Sequence, residues 1–306
     1  MTGASIPEGA DTVVRFEDTR VDGAWVEILD PPRPGKNVRS AGEDVKKGQV
    51  VLKPGTVLRP QEIGMMTALG HMEVKVYRRP RVAILATGDE VVPPDKTPGP
   101  SQIRNANSYT VAAQVRRYGG VPLILGVARD QEALVRQDLR EALAQEADFI
   151  VTSGGVSVGD FDLVKQILTA EGRMHFWWIN QKPGRPMAFG EIDGVPLIGL
   201  PGNPVSTMVS AELYVRPSLL KMQGFRDRSR PTVTARLAEP VGPKDERRHY
   251  VRVQLAETED GYEAHLTGDQ GSGILNSLVL ADGLAVIPEY SEGLPEGAEV
   301  TVILLE

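Results

Sequence analysis

The 306-residue sequence contains no cysteine, and that absence alone excludes disulfides, zinc–thiolate sites and thiol nucleophiles. Histidine is almost as scarce. His71, His175, His249 and His265 are scattered and never at ligand spacing, so each reads as structural or solvated. Long apolar runs are missing too: segments such as VPLIGL at 195–200 fall far short of the roughly 20 residues that span a bilayer, so no membrane segment is expected. Basic residues never run beyond a pair outside the loop of Arg226, Arg228 and Arg230, and 34 Lys and Arg against 41 Asp and Glu leave a formal charge of −7. Nucleic-acid binding rests on a concentrated positive face, so nucleic acid is not an expected partner. The first residues, MTGASIPEGADTVV, have neither the basic start nor the apolar stretch of a signal peptide, which with the missing cysteine points to the cytoplasm. A P-loop, a GxGxxG fingerprint and a recognisable nucleophile–base pair are also lacking.

What is present is enough length for two or three domains. Residues 12–29 place two β-rich runs around Val-Asp-Gly, a hairpin pattern. The Pro-, Gly- and charge-rich stretch at 31–49 reads as a linker. Residues 50–76 predict a strand at VVLKPG, a helix opening near Arg59-Pro60 and closing at Gly70, and a strand at EVKVY. From 81 onward, short apolar runs (RVAILAT, VPLILGV, DFIVTS) alternate with helical spacing in SYTVAAQVRRYGG, QEALVRQDLREALAQEA and LVKQILTAEG. That alternation predicts a mostly parallel sheet with helices on both faces. A last helix follows LPGNP, and after the charged connection at 226–230 come β runs with no convincing helix. The expected class is multidomain α/β plus β. Residues 1–38 form a partial β-rich domain, 39–78 a small linker and β module, 79–226 the central α/β sandwich, and 227–306 a C-terminal β domain.

In an open parallel sheet the ligand crevice lies beyond the carboxyl ends of the strands. The turns expected there are polar. RVAILAT closes on Thr87 and leads into Gly88, Asp89 and Glu90; VPLILGVA leads into Arg129 and Asp130; DFIVTS closes on Ser153 and leads into Gly154, Gly155, Ser157, Gly159, Asp160 and Asp162. HFWWINQ leads into Lys182, Gly184 and Arg185, and VPLIGL into Pro201, Gly202, Asn203 and Pro204. All five turns are expected on one edge. The SGGVSVGD loop lets backbone N–H groups approach a phosphate, with Ser153 and Ser157 as further donors, although a tight strand-to-helix connection accounts for the glycines equally well. Mg²⁺ takes one or two carboxylates plus waters and phosphate oxygens, so Glu90, Asp130 and Asp162 suffice without histidine. Asp130 has a second reading as the N-cap of the helix that follows. Lys182 and Arg185 suit an oxyanion, and an exposed salt-bridged loop is the alternative. Pro201 to Pro204 is a rigid turn before a helix N-terminus. Met208, Phe176 and Trp177 read as core.

The ordered set TGDE, SGGVSVGD, KPGRP and GLPGNPVS resembles the molybdopterin molybdenumtransferase family, which includes the E domain of gephyrin. MTGASIPEGADTVV, RSAGEDVKKGQVVLKPG and 231–306 are similar to further segments of that family, so the resemblance covers essentially the whole chain. It implies a molybdopterin-binding α/β sandwich and transfer of molybdenum from molybdate to adenylylated molybdopterin with Mg²⁺, releasing AMP. By the same resemblance, Glu90, Asp130 and Asp162 are acidic or metal-site residues and Lys182 and Arg185 contact oxyanions. Pro201 and Pro204 shape the pocket, and Thr2, Asp44 and Ser272 lie on its rim. A homodimer and contact with a molybdopterin adenylyltransferase are implied as well. Two departures stand out. The family often carries a basic residue at the position of Trp178, so one oxyanion contact is expected to be missing or moved. Family members also have an upstream region of roughly a hundred residues, the size of a small domain, expected to complete the first two modules and much of the dimer contact. The rival readings are the adenylyltransferase itself, whose single α/β domain shares the SGG-type loop, and a non-catalytic scaffold on the same fold.

Overall fold

The computed structural model describes residues 2–155, 163–242 and 245–305. The chain divides into two compact units, Met1–His71 and Met72–Glu306.

In the first unit, strands β1 (Thr19–Asp22) and β2 (Trp25–Ile28) pair antiparallel with Asp22 opposite Trp25, around a two-residue Gly23-Ala24 loop. A 3₁₀ turn at Phe16–Asp18 precedes them. Helix α1 (Pro60–Ala68) begins at a proline that has no N–H to lose, and the Glu62 carboxylate accepts the Arg59 backbone N–H at 2.9 Å and its guanidinium at 2.6 Å. That bond to Arg59 pulls the Glu62 carboxyl down to about 2. The strand expected at VVLKPG does not form: 50–55 is irregular, and Val50 is left 71 % exposed. EVKVY, in the second unit, is likewise unpaired, with Val76 and Tyr77 exposed. β-propensity needs a ladder partner to become a strand, and neither segment has one.

The second unit opens with the α/β sandwich. Its strands are β3 (Arg81–Thr87), a minor parallel pair β4 (Val91–Val92) and β5 (Ile103–Arg104), then β6 (Val121–Ala128), β7 (Phe149–Ser153), β8 (Arg173–Trp178), β9 (Gln181–Lys182), β10 (Pro186–Ile192) and β11 (Val195–Leu200). The main sheet has the order β6-β3-β7-β11-β10-β8. β3, β6, β7 and β11 are mutually parallel, while β10 folds back antiparallel to β11 through Asp193-Gly194, a hairpin the sequence patterning did not single out. Alternate residues of β3 serve opposite cores. Ala83 and Leu85 meet α3 (Glu132–Ala144) and α4 (Leu163–Glu171) through Val135, Leu139, Val164 and Leu168. Val82 and Ile84 meet α2 (Asn107–Arg117) and the last helix through Val111, Val115, Val215 and Leu219. Period-two burial on both faces is what a sheet between two helical layers requires.

The last helix runs from α5 (Pro204–Ser210) through a π turn (Ala211–Val215) into α6 (Arg216–Met222). Pro217 cannot donate to the preceding turn and its ring crowds the carbonyl four residues back, so the wider π turn just before it is where the helix absorbs the proline. Beyond it lie β12 (Thr232–Leu237), β13 (Arg248–Thr258), β14 (Gly261–Leu266), a one-turn helix α7 (Asn276–Val279), β15 (Gly283–Ile287) and β16 (Glu299–Leu304). The short α7 corrects the expectation of no helix here. The ladder β14-β12-β16-β15-β13 closes on itself through β13–β14, making a five-stranded barrel, and β9 is added in parallel to the start of β13. Val205 and Val209 of α5 pack with Tyr250 and Leu284 of the barrel. Among the described residues no helix is long and apolar enough to cross a membrane.

Glu212, inside the π turn, is nearly buried and gathers the joint between sandwich and barrel. Its carboxylate accepts Tyr118 Oη at 2.7 Å and Arg230 Nε at 2.6 Å, with Arg216 Nε at 3.5 Å. Burial, and then the Glu212 charge, push the Tyr118 hydroxyl far above its ordinary value. Removing the carboxylate leaves two mostly buried guanidiniums uncompensated, so Glu212→Ala is expected to cost about 3–5 kcal/mol in urea unfolding. Glu212→Gln, which keeps an acceptor for Tyr118, is expected to cost less.

Candidate active site

Strand direction assembles the site. β8 and β11 both pair antiparallel with β10, so β8 points the same way as β3, β6, β7 and β11. Five strand ends therefore open on one edge of the sheet, and the turns after them carry the polar residues singled out above.

The turns after β3 and β6 are tied together. Gly88 N–H donates to the Ala128 carbonyl at 3.2 Å, and Asp130 N–H donates to the Asp89 carboxylate at 3.2 Å. Glu90 folds back on Gly88 so closely that a Cβ there would lie 2.6 Å from its carboxylate oxygen. Asp130 is not a helix cap: the N-cap of α3 is Gln131, and no side chain bonds to that helix start. Its carboxyl is exposed at the surface, yet partial burial, followed by the charges of Asp89 and Glu90, raises it above the ordinary carboxylate range. Three carboxylates thus share one small region, although among the described residues no group of three His, Asp or Glu is arranged to hold a metal by itself. Ser157 and Asp162, with Gly159 and Asp160, lie outside the described residues.

The turn after β7 is a tight cradle. Gly154 has φ 91° and Gly155 φ 64°, and Cβ atoms there would lie 2.6 Å from the Thr87 carbonyl and 2.9 Å from Thr87 Oγ1. Only glycine meets both demands. Thr87 Oγ1 is itself buried without a hydrogen-bond partner among the described residues. Gly154 N–H donates to the Leu200 carbonyl at 3.1 Å, which joins this turn to the one after β11. Asn107, the first residue of α2, bridges the same pair: its Nδ2 donates to Ser153 Oγ at 2.8 Å and to the Gly202 carbonyl at 2.7 Å. Thr207 Oγ1 donates to the Pro201 carbonyl at 2.6 Å. Asn203 Nδ2 donates to Ser272 Oγ at 2.9 Å and Val205 N–H to the Ser272 carbonyl at 3.1 Å, so the barrel loop carrying Ser272 sits on the start of α5. Pro204 is the first residue of that helix.

The turn after β8 is held by Gln181. Its Nε2 donates to the Pro183 carbonyl at 2.9 Å and to Ser210 Oγ at 3.2 Å, while its Oε1 accepts Tyr214 Oη at 2.7 Å. Burial pushes the Tyr214 hydroxyl up to about 12. Lys182 and Arg185 turn to different neighbours. Lys182 Nζ lies 3.7 Å from Asp245, whose carboxyl is held far below its ordinary range chiefly by Arg247 at 2.6 Å. Arg185 lays its guanidinium over the Trp178 ring, 4.7 Å from the centroid. The ion pair foreseen for this loop therefore exists at Lys182, which remains 48 % exposed. Thr2 and Asp44 belong to the first unit.

Three segments match known protein families: residues 1–70 the MoeA N-terminal region (domains I and II), 83–221 a probable molybdopterin-binding domain, and 234–305 the MoeA C-terminal region (domain IV). Over 99 % of its length the chain is 37 % identical to molybdopterin molybdenumtransferase of Haemophilus influenzae, covering 75 % of that protein. The chain belongs to the molybdopterin molybdenumtransferase family. The Nostoc sp. enzyme of the same name is 36 % identical, with 99 % of the chain and 71 % of the relative aligned. A crystal structure of the molybdopterin biosynthesis MoeA protein from Pyrococcus horikosii superposes with a TM-score of 0.83 at 34 % identity, covering 99 % of the chain and 74 % of that protein. Membership of the family makes the chain a transferase of molybdenum cofactor biosynthesis.

The residues that sequence reading passed over are those that brace the edge: Asn107, Thr207, Gln181 and Asp245. The Asn-rich RNANS before α2 was the one local signal, since an amide at a helix start often serves something beyond its own turn. The others act only through tertiary contacts. Asn107→Ala removes two bonds that join the β7 and β11 turns, and is expected to cost about 1–2 kcal/mol in urea unfolding. A cost under about 0.3 kcal/mol would mean that the two turns hold each other without it.

Proposed function

We propose that this chain inserts molybdenum from molybdate into adenylylated molybdopterin and releases AMP. The observation that carries the reading is that five polar turns open on one sheet edge, with a carboxylate group at one end, a glycine cradle between and two cations at the other. At Gly154 and Gly155 a Cβ would run into Thr87, so the turn keeps glycines whose backbone a phosphate can approach from the open side. Gly154 N–H is already committed to Leu200, so in this proposal phosphate recognition falls to Gly155 N–H and Ser153, with Ser157, which lies outside the described residues, proposed as a further donor. In this proposal Thr87, Gly88, Asp89, Pro201, Gly202, Asn203, Pro204 and Ser272 shape the walls, and Lys182 and Arg185 draw in oxyanions, phosphate and molybdate alike.

The donor set suits Mg²⁺. Glu90 and Asp130 are hard oxygen ligands on adjoining turns, and an ion that keeps several waters and binds substrate phosphates needs no third protein carboxylate, with Asp162 available as one. When bound, the metal supplies charge neutralisation at the phosphoanhydride. The protein's own part is positioning and electrostatic stabilisation, with no covalent enzyme intermediate. The absence of cysteine accords with this, because the sulfur ligands of molybdenum belong to the pterin. We further propose the domain limits 1–38, 39–78, 79–226 and 227–306, a homodimer, contact with the adenylyltransferase that supplies the substrate, and a cytoplasmic setting.

AMP release from adenylylated molybdopterin, molybdate and Mg²⁺ is the assay. Glu90→Ala is expected to lower turnover by at least about a hundredfold. Full turnover by that variant would refute the site assignment, and ATP-dependent adenylylation of molybdopterin by the native chain would refute the reaction.

A further inference from the structure

We propose that Trp178, with Arg185 laid across it, is a stacking platform for a planar heteroaromatic ring of the substrate, an inference that rests on the reaction proposed above. Trp178 is the last residue of β8, at the strand end that shares the ligand edge, and it stands opposite Pro186 on β10. Trp178 is 43 % exposed. Other aromatics of the chain are more exposed, Trp25 and Phe16 among them, so what sets Trp178 apart is its place at the ligand edge.

Arg185 covers part of the ring. Its guanidinium, 4.7 Å from the ring centroid, occupies one face as a cation–π partner, and that contact holds the charge at the loop where an oxyanion is to be bound. The remaining exposed surface of the indole offers an apolar, π-rich contact. A flat nitrogen heterocycle fits it by stacking, an interaction that needs no hydrogen-bond code.

Spacing favours the same ligand. β8 is two places from β11 in the sheet order, so Trp178 stands on the order of 10 Å along the edge from the Pro201–Pro204 turn. A ligand whose phosphate lies against the β7 and β11 turns would carry an attached ring toward Trp178. Adenine and pterin share the required chemistry, and both belong to adenylylated molybdopterin.

The test uses the full chain, with tryptophan fluorescence read during titration by AMP and, separately, by a phosphorylated pterin. At least one probe is expected to quench saturably, and the one that does so names the ring. Trp178→Phe is expected to lose the quench while keeping the KM for adenylylated molybdopterin within about twofold, since an aromatic face remains. Trp178→Ala is expected to raise that KM about tenfold with kcat and the molybdate KM little changed. Far-UV circular dichroism matching the native chain establishes that both variants fold. The proposal is overturned if neither probe quenches, if Trp178→Phe quenches as the native chain does, or if folded Trp178→Ala keeps its native KM. Failure of the native chain to release AMP would instead count against the reaction, and the quench would then judge the platform alone.

Discussion

Three adjacent parallel strands, β3, β7 and β11, form the centre of the sandwich, and the side chains from Val82 to Thr87 and from Phe149 to Ser153 are buried along their whole length. Because both faces are covered by helices, their register cannot slip by a residue without driving one apolar set into the other core. That constraint places Ala86, Ser153 and Leu200 side by side at the ladder's end, with Thr87 one residue beyond. Everything polar beyond them is hung from this row: the cradle presses on Thr87, Gly154 bonds to Leu200, and Asn107 spans Ser153 and Gly202.

The same row explains why the barrel is joined to this edge of the sandwich. A parallel sheet ends in a row of turns with no strand to satisfy their backbone groups, so neighbours must do it. The Ser272 loop meets the start of α5, and β9 continues the turn after β8 into the barrel ladder beside Arg248 and His249. Arg252, fully buried, donates to Ser277 Oγ and to the Gly271 carbonyl, so the loop that carries Ser272 is itself held from inside the barrel. The Glu212 network fixes the other side of the joint. Sandwich and barrel are thus coupled by hydrogen bonds and charge as well as by the small apolar contact of Val205 and Val209 with Tyr250 and Leu284.

Charge is distributed unevenly along the edge. Asp89, Glu90 and Asp130 crowd one end, below β3 and β6, while Lys182 and Arg185 lie at the other, beyond β8. Repulsion among the carboxylates is tolerated because they are exposed, and it is the kind of local cost that a bound cation relieves. Lys182 is shared with Asp245, which the nearby Arg247 keeps ionised. The cations at this end are therefore braced by neighbours.

The sequence by itself determined the alternation of strand and helix in the sandwich, the polar turns after each strand and their order, since burial on two faces leaves a period that can be read locally. It also carried the family resemblance. It misjudged 50–55 and 73–77, where β-rich residues have no ladder to join, and it passed over β10 and the short α7. Tertiary structure alone decided that the five turns meet, because the direction of β8 depends on two antiparallel pairings through β10. It alone put Asn107 between two turns nearly 50 and 100 residues away, freed Asp130 from a capping role, and set Arg185 on Trp178. Those are contacts between residues distant in the chain, and no local pattern encodes them.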